Sequence, residues 1–138
     1  MVDLSRQEIS AYLAEPHVAH MVTVRPDGRP HVAPVWFIEE DGWAFVMAHA
    51  SAVKLRNVRR NPQVTLSVAT DQRPFKYVLL EGEGRVTNRD LARVVERICV
   101  HYDGPELGPT FAREALSGGQ MWVVEIRVKR VIGWKDDV

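Results

Sequence analysis

The chain has 138 residues, of which 46% are hydrophobic and 26% charged, and 18 Lys and Arg balance 18 Asp and Glu. This length and composition predict a single globular domain over residues 1–138 and exclude a disordered chain. The zero net charge excludes a broadly basic protein that coats nucleic acid, because such proteins carry a large positive excess. A local charged site is still allowed.

Cysteine usage and the N-terminal sequence limit the compartment. Cys99 is the single cysteine, so no intramolecular disulfide and no cysteine-based zinc site can form. The sequence shows no apolar signal region and no run of the roughly 18 apolar residues that span a bilayer. We therefore expect a cytoplasmic protein without a membrane partner. The histidines are scattered along the sequence, and we expect no metal site.

The first half of the sequence predicts two helices and four strands. Ser5 and Glu8 form a capping box for a helix over residues 5–15, which ends at Pro16. A second helix is predicted over residues 51–60, with Ser51 as its N-cap. Alternating apolar positions, separated by turns rich in Gly and Pro, predict strands over residues 17–25, 30–39, 43–48 and 64–69.

The second half predicts two long strands around a helical region. Residues 75–86 form a strand in which Glu81–Gly84 suggests a bulge. Helices are predicted over 88–102 and 109–117, and a last strand over 120–135. Six antiparallel strands with short helices predict an α+β fold, mainly β, in the form of a small barrel. Barrels of this size hold a small ligand at the rim or between subunits.

A basic segment is the most informative feature of the sequence. No Asp or Glu occurs between residues 42 and 70, and this window contains Lys54, Arg56, Arg59 and Arg60. A cationic helix of this kind suits phosphate, because its free amides and positive dipole end attract an anion. At about 100° per residue, Lys54 and Asn57 lie close enough on the helix to meet one ligand. A solvated helix with a basic outer face fits the same spacing, and a nucleic-acid surface is a third reading.

Three blocks of sequence resemble a known family. They are residues 23–37 (TVRPDGRPHVAPVWF), 51–66 (SAVKLRNVRRNPQVTL) and 74–84 (PFKYVLLEGEG), of which the middle block is the most specific. Together they resemble the pyridoxamine 5'-phosphate oxidase-like split β-barrel family, most of all its branch of flavin- and deazaflavin (F420)-dependent oxidoreductases. The resemblance extends over most of the chain. It implies a split β-barrel, a homodimer, and a cofactor in the groove between the two subunits.

The resemblance also implies cofactor-binding positions. It assigns the phosphate-binding segment and its neighbouring cations to Ser51, Lys54, Arg56, Asn57 and Arg60. It assigns the strand along the flavin-type ring to Pro34, Val35 and Trp36. It assigns the contribution of the second subunit to Phe75, Lys76 and Tyr77. It implies no catalytic side chain, because in such proteins the cofactor carries the hydride.

The expected cofactor is F420, with FMN as the alternative. F420 carries a phosphate and a glutamate tail, and clustered arginines suit the longer anionic tail. The resemblance thus implies hydride transfer between F420 and a small unsaturated or electrophilic molecule. The C-terminal sequence RVIGWKDDV lacks the basic segment with which pyridoxamine phosphate oxidase holds its substrate, which disfavours pyridoxal phosphate synthesis. A non-catalytic protein that binds flavin, F420 or haem is a further alternative.

Overall fold

An antiparallel sheet organises the chain in a computed structural model that describes residues 2–137. Its strands are β1 (Val2–Asp3), β2 (Ala19–Val24), β3 (Pro30–Val35), β4 (Phe37–Glu40), β5 (Trp43–His49), β6 (Gln63–Ala69), β7 (Lys76–Thr87) and β8 (Met121–Lys135). The helices are α1 (Arg6–Leu13), α2 (Val53–Arg60) and α3 (Leu91–Ser117).

The order of the strands makes the sheet curl. Neighbouring strands follow the order β3-β2-β6-β7-β8-β5-β4, with β1 paired to β8. Strands β3 and β4 therefore lie at opposite ends of this path, although only Trp36 separates them in the sequence. A flat sheet cannot place its two ends one residue apart, so the sheet curves round into a barrel whose end strands, β3 and β4, are not paired with each other among the residues that the structure describes. The predicted α+β, mainly β architecture is confirmed.

The inner face of the curved sheet forms the main hydrophobic core. Side chains that alternate along the central strands are fully buried there, among them Val46, Leu66, Val68, Val78 and Ile126. Helix α1 closes the core with Tyr12 and Leu13, and its N-terminus has the predicted capping box, in which Ser5 and Glu8 exchange backbone and side-chain hydrogen bonds. Helix α3 covers part of the outer face through Val94 and Ile98.

Two predicted elements differ from the structure. The strand predicted over residues 30–39 is divided at Trp36 into β3 and β4, because the chain passes there from one end of the sheet to the other. The two predicted helices run together as α3, with a break at Gly104, whose φ of 89° and ψ of 168° are not helical. The break confirms the predicted end of the first helix, but the second begins before residue 109. The pairing of β1 with β8 was not predicted.

A bulge lies beside the predicted section of β7, where the register with β8 shifts between Glu81 and Gly82. The extra residue is Lys129 on β8, because Glu81 pairs with Arg130 and Gly82 with Val128. A Cβ atom on Gly82 would collide with the carbonyl oxygen of Arg127 on β8. The close approach of the two backbones therefore requires glycine at this position.

We predict that Gly82→Ala lowers the free energy of unfolding by about 1–3 kcal/mol, because the backbone of β8 must move to admit the methyl group. Gly118→Ala is the matched control, since nothing lies within 4 Å of an added Cβ there and its φ of −82° suits alanine. Urea denaturation of both variants measures the difference. Equal stabilities of the two variants would contradict the assignment of the bulge.

Candidate functional site

Helix α2 lies against β2 and β7 and carries the basic segment. Its apolar side, Leu55 and Val58, is 0% and 3% exposed, as the helical spacing predicts. The remaining faces carry the cations, so the helix presents positive charge at the surface of the barrel. No acidic residue accompanies them in the first turn of the helix.

Asn57 fastens α2 to the barrel. Its side chain is 2% exposed, and its Nδ2 donates a hydrogen bond of 3.0 Å to Oγ1 of the fully buried Thr23 on β2. Its Oδ1 accepts a bond of 3.3 Å from Arg60. Both the nitrogen and the oxygen of the side-chain amide thus have partners, and the oxygen holds the guanidinium of Arg60 in place. The rotation of α2 turns Asn57 toward β2, so the expected contact of its side chain with a ligand is replaced by a positioning role.

Lys54 differs from the other cations of α2. Arg56 donates to the carbonyl oxygen of Ser51 at 3.3 Å, Arg59 lies 5.4 Å from the ring centre of Trp122, and Arg60 donates to the carbonyl oxygen of Val24. The ammonium of Lys54 makes no hydrogen bond or ion pair with any residue that the structure describes. Burial lowers the pKa of Lys54, since a half-buried charge is poorly solvated. An anion bound there would supply the counter-charge that the chain does not.

Ser51 is not the N-cap that the sequence predicts. The cap is Ala52, whose amide donates to the carbonyl oxygen of His49 at 2.9 Å and so delays the helix by one residue. The Ser51 hydroxyl lies 2.8 Å from Nδ1 of His49, which also accepts from the Ser51 amide at 3.1 Å. No side chain of the described residues caps the first amides of α2. The Leu55 amide donates to the carbonyl oxygen of Ala52 at 3.2 Å, which leaves the amides of Val53 and Lys54 available to an anion.

The hairpin between β2 and β3 brings two further basic residues to the same corner. Thr23, which bonds to Asn57, is paired across the hairpin with His31. Arg25 donates through Nε to the carbonyl oxygen of Pro30 at 3.4 Å. Sequence reasoning missed Arg25 and His31. The turn at residues 26–29 implies the register of the hairpin, and this register could have indicated both residues. It places Arg25 and His31 beside Thr23, the residue that bonds to α2.

Trp36 forms one half of an aromatic stack. Its ring lies parallel to that of Tyr102 on α3, with centres 4.5 Å apart and planes 7° apart. The Tyr102 hydroxyl donates to the carbonyl oxygen of His17 at 2.6 Å and accepts from the amide of Phe37 at 3.1 Å. Trp36 is 36% exposed, so part of the indole remains open to a planar molecule. Tyr102 was missed because its helical spacing indicated only a packing role.

The two residues before Trp36 face opposite sides of β3. Val35 is 6% exposed and its side chain belongs to the core, so its backbone is the part available to a ligand beside the strand. Pro34 is exposed on the outer face. Strand β3 is the edge of the sheet path, and an edge strand presents backbone donors and acceptors without strand partners.

Phe75, Lys76 and Tyr77 lie away from α2. Lys76 begins β7, whereas α2 approaches β7 near Gly84, eight residues later. An extended strand of that length spans about 26 Å. Instead, Lys76 lines a cavity of about 470 Å³ beside the turn between β6 and β7. Its ammonium lies 5.8 Å from the ring centre of Tyr12 in the wall of this cavity. One copy of the chain therefore does not bring all the predicted residues together.

We predict that Asn57→Ala lowers the free energy of unfolding by about 1–3 kcal/mol, because Thr23 loses its partner inside the barrel. Arg56→Ala is the control, since this exposed side chain makes one surface hydrogen bond and its loss costs at most about 0.5 kcal/mol. Chemical denaturation monitored by circular dichroism measures both values. If Asn57→Ala lowers the free energy of unfolding no more than Arg56→Ala does, the proposed role of Asn57 in holding α2 against β2 is contradicted.

Among residues 2–137, no group of three or more His, Cys, Asp or Glu side chains is arranged to hold a metal ion. None of the helices in this part of the chain has the length and apolar character required to cross a membrane.

The sequence of the chain matches a known family and a curated relative. The family model described as pyridoxamine 5'-phosphate oxidase matches residues 5–135. A curated relative, the haem oxygenase HutZ of Vibrio cholerae, is 30% identical over 90 residues, which are 65% of this chain and 50% of the relative. The chain therefore spans about half the length of this relative.

Solved structures share the fold. A conserved hypothetical protein from Mycobacterium tuberculosis superposes with a TM-score of 0.84 at 24% identity, covering 97% of this chain and 86% of the other. An F420 reductase superposes with a TM-score of 0.73 at 24% identity, covering 88% of this chain and 94% of the other. These similarities confirm the split-barrel fold.

Proposed function

The chain belongs to the pyridoxamine 5'-phosphate oxidase family, and from this premise we propose that it is an oxidoreductase that uses a phosphate-bearing deazaflavin or flavin. The proposed cofactor is F420, with FMN as the alternative, and the proposed substrate is a small unsaturated or electrophilic molecule. The observation that carries the proposal is Lys54, a half-buried ammonium that pairs with no acidic side chain of the described residues and lies in a corner rich in arginine.

The charges around Lys54 favour a phosphate. Arg60 donates to the carbonyl oxygen of Val24 and to Oδ1 of Asn57, but a guanidinium has five N–H groups and can also bind an anion. The uncapped amides at the start of α2 add donors. Asp27, at the tip of the neighbouring hairpin, is paired with Arg29 at 3.0 Å, so its charge is compensated. The corner as a whole is positive.

Strand β3 supports the position proposed for the ring. It begins at Pro30, which bonds to Arg25 beside the cationic corner, and ends at Val35 next to Trp36. Its six residues span about 17 Å between these two points. A cofactor with a phosphate at one end and a planar ring at the other fits such a track. The free edge of β3 can bind the polar atoms of the ring, and Trp36 offers an aromatic surface.

The proposed chemistry requires little of the side chains. The cofactor supplies the hydride when it is bound, as in other proteins that use such groups. Lys54 and Arg60 would anchor the phosphate, and Trp36 would orient a planar molecule and shield it from water. Solvent can supply the proton that accompanies the hydride, so no side-chain acid is required.

The outer face of the sheet supports a homodimer. Val22 and Val32 are paired on β2 and β3, and Leu79 and Ile132 are paired on β7 and β8, all on this face. None of the four is classed as buried, and Val32 is 55% exposed. A second copy packed there would cover this apolar surface. It would also supply residues 75–77 to a site that one chain leaves incomplete.

We predict that the purified protein binds F420 or FMN with a dissociation constant below about 100 μM, which corresponds to roughly −5.5 kcal/mol. Lys54→Ala should weaken this binding at least about fivefold, since a hydrogen bond to a charged group contributes 1 kcal/mol or more. Arg113→Ala, on α3, is the control for a lost surface charge and should bind as the wild type does. Titrations followed by absorbance or fluorescence measure the constants. Failure to bind either cofactor would refute the proposed function.

Haem is the second candidate ligand, and the similarity to HutZ favours it. The absorbance spectrum of the protein as isolated distinguishes flavin, deazaflavin and haem. Oxidation of reduced F420 in the presence of an electrophilic acceptor distinguishes an enzyme from a binding protein. Cofactor binding without turnover of any acceptor would favour storage or transport.

We predict that Val32→Asp converts a dimer into monomers, because it places charge in the proposed interface. Leu107→Asp on α3 is the matched control, since Leu107 is 57% exposed against 55% for Val32 and lies outside the proposed interface. Sedimentation velocity measures the masses of the two variants and the wild type. A monomeric wild type, or a dimer that survives Val32→Asp, would contradict the proposed interface.

A further inference from the structure

We propose that His31 is an additional anion-binding side chain of the corner formed by Arg25, Lys54 and Arg60, and that it takes up a proton when an anion binds there. The inference rests on the proposed function, because it concerns the same phosphate-binding corner. It adds a proton to the binding reaction, and the affinity for the anion then depends on pH.

The register of the hairpin directs His31 toward α2. Thr23 is fully buried and bonds to Asn57 on the helix. His31 lies directly opposite Thr23 on β3, and paired residues of antiparallel strands project to the same face. Lys54 lies one turn before Asn57 on the same helix. The imidazole is therefore on the side of β3 that faces the partnerless ammonium.

The ring of His31 has unused hydrogen-bonding capacity. Its Nδ1 is buried and has no hydrogen-bond partner among residues 2–137. No residue that the structure describes bonds to Nε2 either, and this nitrogen is not buried. Because His31 is half-buried on an edge strand, Nε2 can reach a ligand from the open side.

The groups that face His31 are mainly cations. Arg25 follows the end of β2 and Lys54 lies on α2, and the positive charges of both act on the imidazole. Arg60, also on α2, donates to Val24 and to the neutral Asn57. Asp27, on the turn that leads into β3, is held by Arg29. Burial, together with the charges of Arg25 and Lys54, holds the pKa of His31 below its ordinary value. The imidazole is therefore neutral near pH 7 in the free protein.

An anion bound in this corner would offset part of the lowering of the pKa of His31. Its negative charge offsets the fields of Arg25 and Lys54 and favours the protonated imidazole, so the pKa of His31 rises in the complex. By linkage, the anion binds more tightly as the pH falls from the pKa of the complex toward the lower pKa of the free protein. Below the pKa of the free protein, the affinity gains nothing more from His31.

Inorganic sulfate is the probe, because its charge stays constant over the range used, whereas phosphate titrates. We expect the wild type to bind sulfate at least about threefold more tightly near pH 5.5 than near pH 8. His31→Gln, which retains a hydrogen-bond donor, should bind with little dependence on pH and match the wild type near pH 8. A flat response in the wild type, or an equal slope in His31→Gln, would overturn the proposal.

NMR titration of the histidine rings in the wild type tests the same inference without a variant. Added sulfate should raise the pKa of His31. The ring resonances of His20 are the internal control and should not respond to sulfate, since His20 projects from the outer face of β2 opposite Pro34. An unmoved pKa of His31 would overturn the inference. If sulfate shows the expected response but neither F420 nor FMN binds, the proposed cofactor fails and His31 keeps its role. Cofactor binding with a flat sulfate response removes only the role of His31.

Discussion

The connection through Trp36 constrains the whole molecule. The two ends of the sheet path, β3 and β4, are joined by this single residue, and the intervening strands must curve to bring those ends together. The curvature creates an inner face that buries the core and an outer face that is partly covered by α3. It also fixes the place of the exposed indole, which lies where the two ends of the sheet meet.

The cationic corner depends on this curvature and on one buried amide. Helix α2 rests on β2 and β7, and Asn57 sets its rotation by bonding to Thr23. With that rotation, the arginines of α2 find partners within the chain, while Lys54 does not. One polar hydrogen bond in the interior of the barrel thus fixes the geometry of a positive site at its surface. Such a site recognises an anionic group by its charge and position, whereas the rest of a larger ligand would be recognised by β3 and Trp36.

Much of the fold could be predicted from the sequence, because alternation, capping and turn residues act locally. The capping box at Ser5 and the bulge at Gly82 are examples, and both are confirmed. The division of the strand at Trp36 could not be predicted, since it follows from the order of distant strands. The cationic helix was predicted from spacing, but the burial of Asn57 depends on how α2 is rotated against β2, which spacing does not determine. His31 and Tyr102 have roles only through partners on other elements.

The hydroxyl of Tyr102 joins two segments that are far apart in the sequence. It binds the backbone of His17, before β2, and of Phe37, at the start of β4, while its ring supports Trp36. Removal of this hydroxyl would release both backbone segments at once. One side chain of α3 therefore holds the entry to β2 and the start of β4, and supports the indole that lies between the two ends of the sheet path.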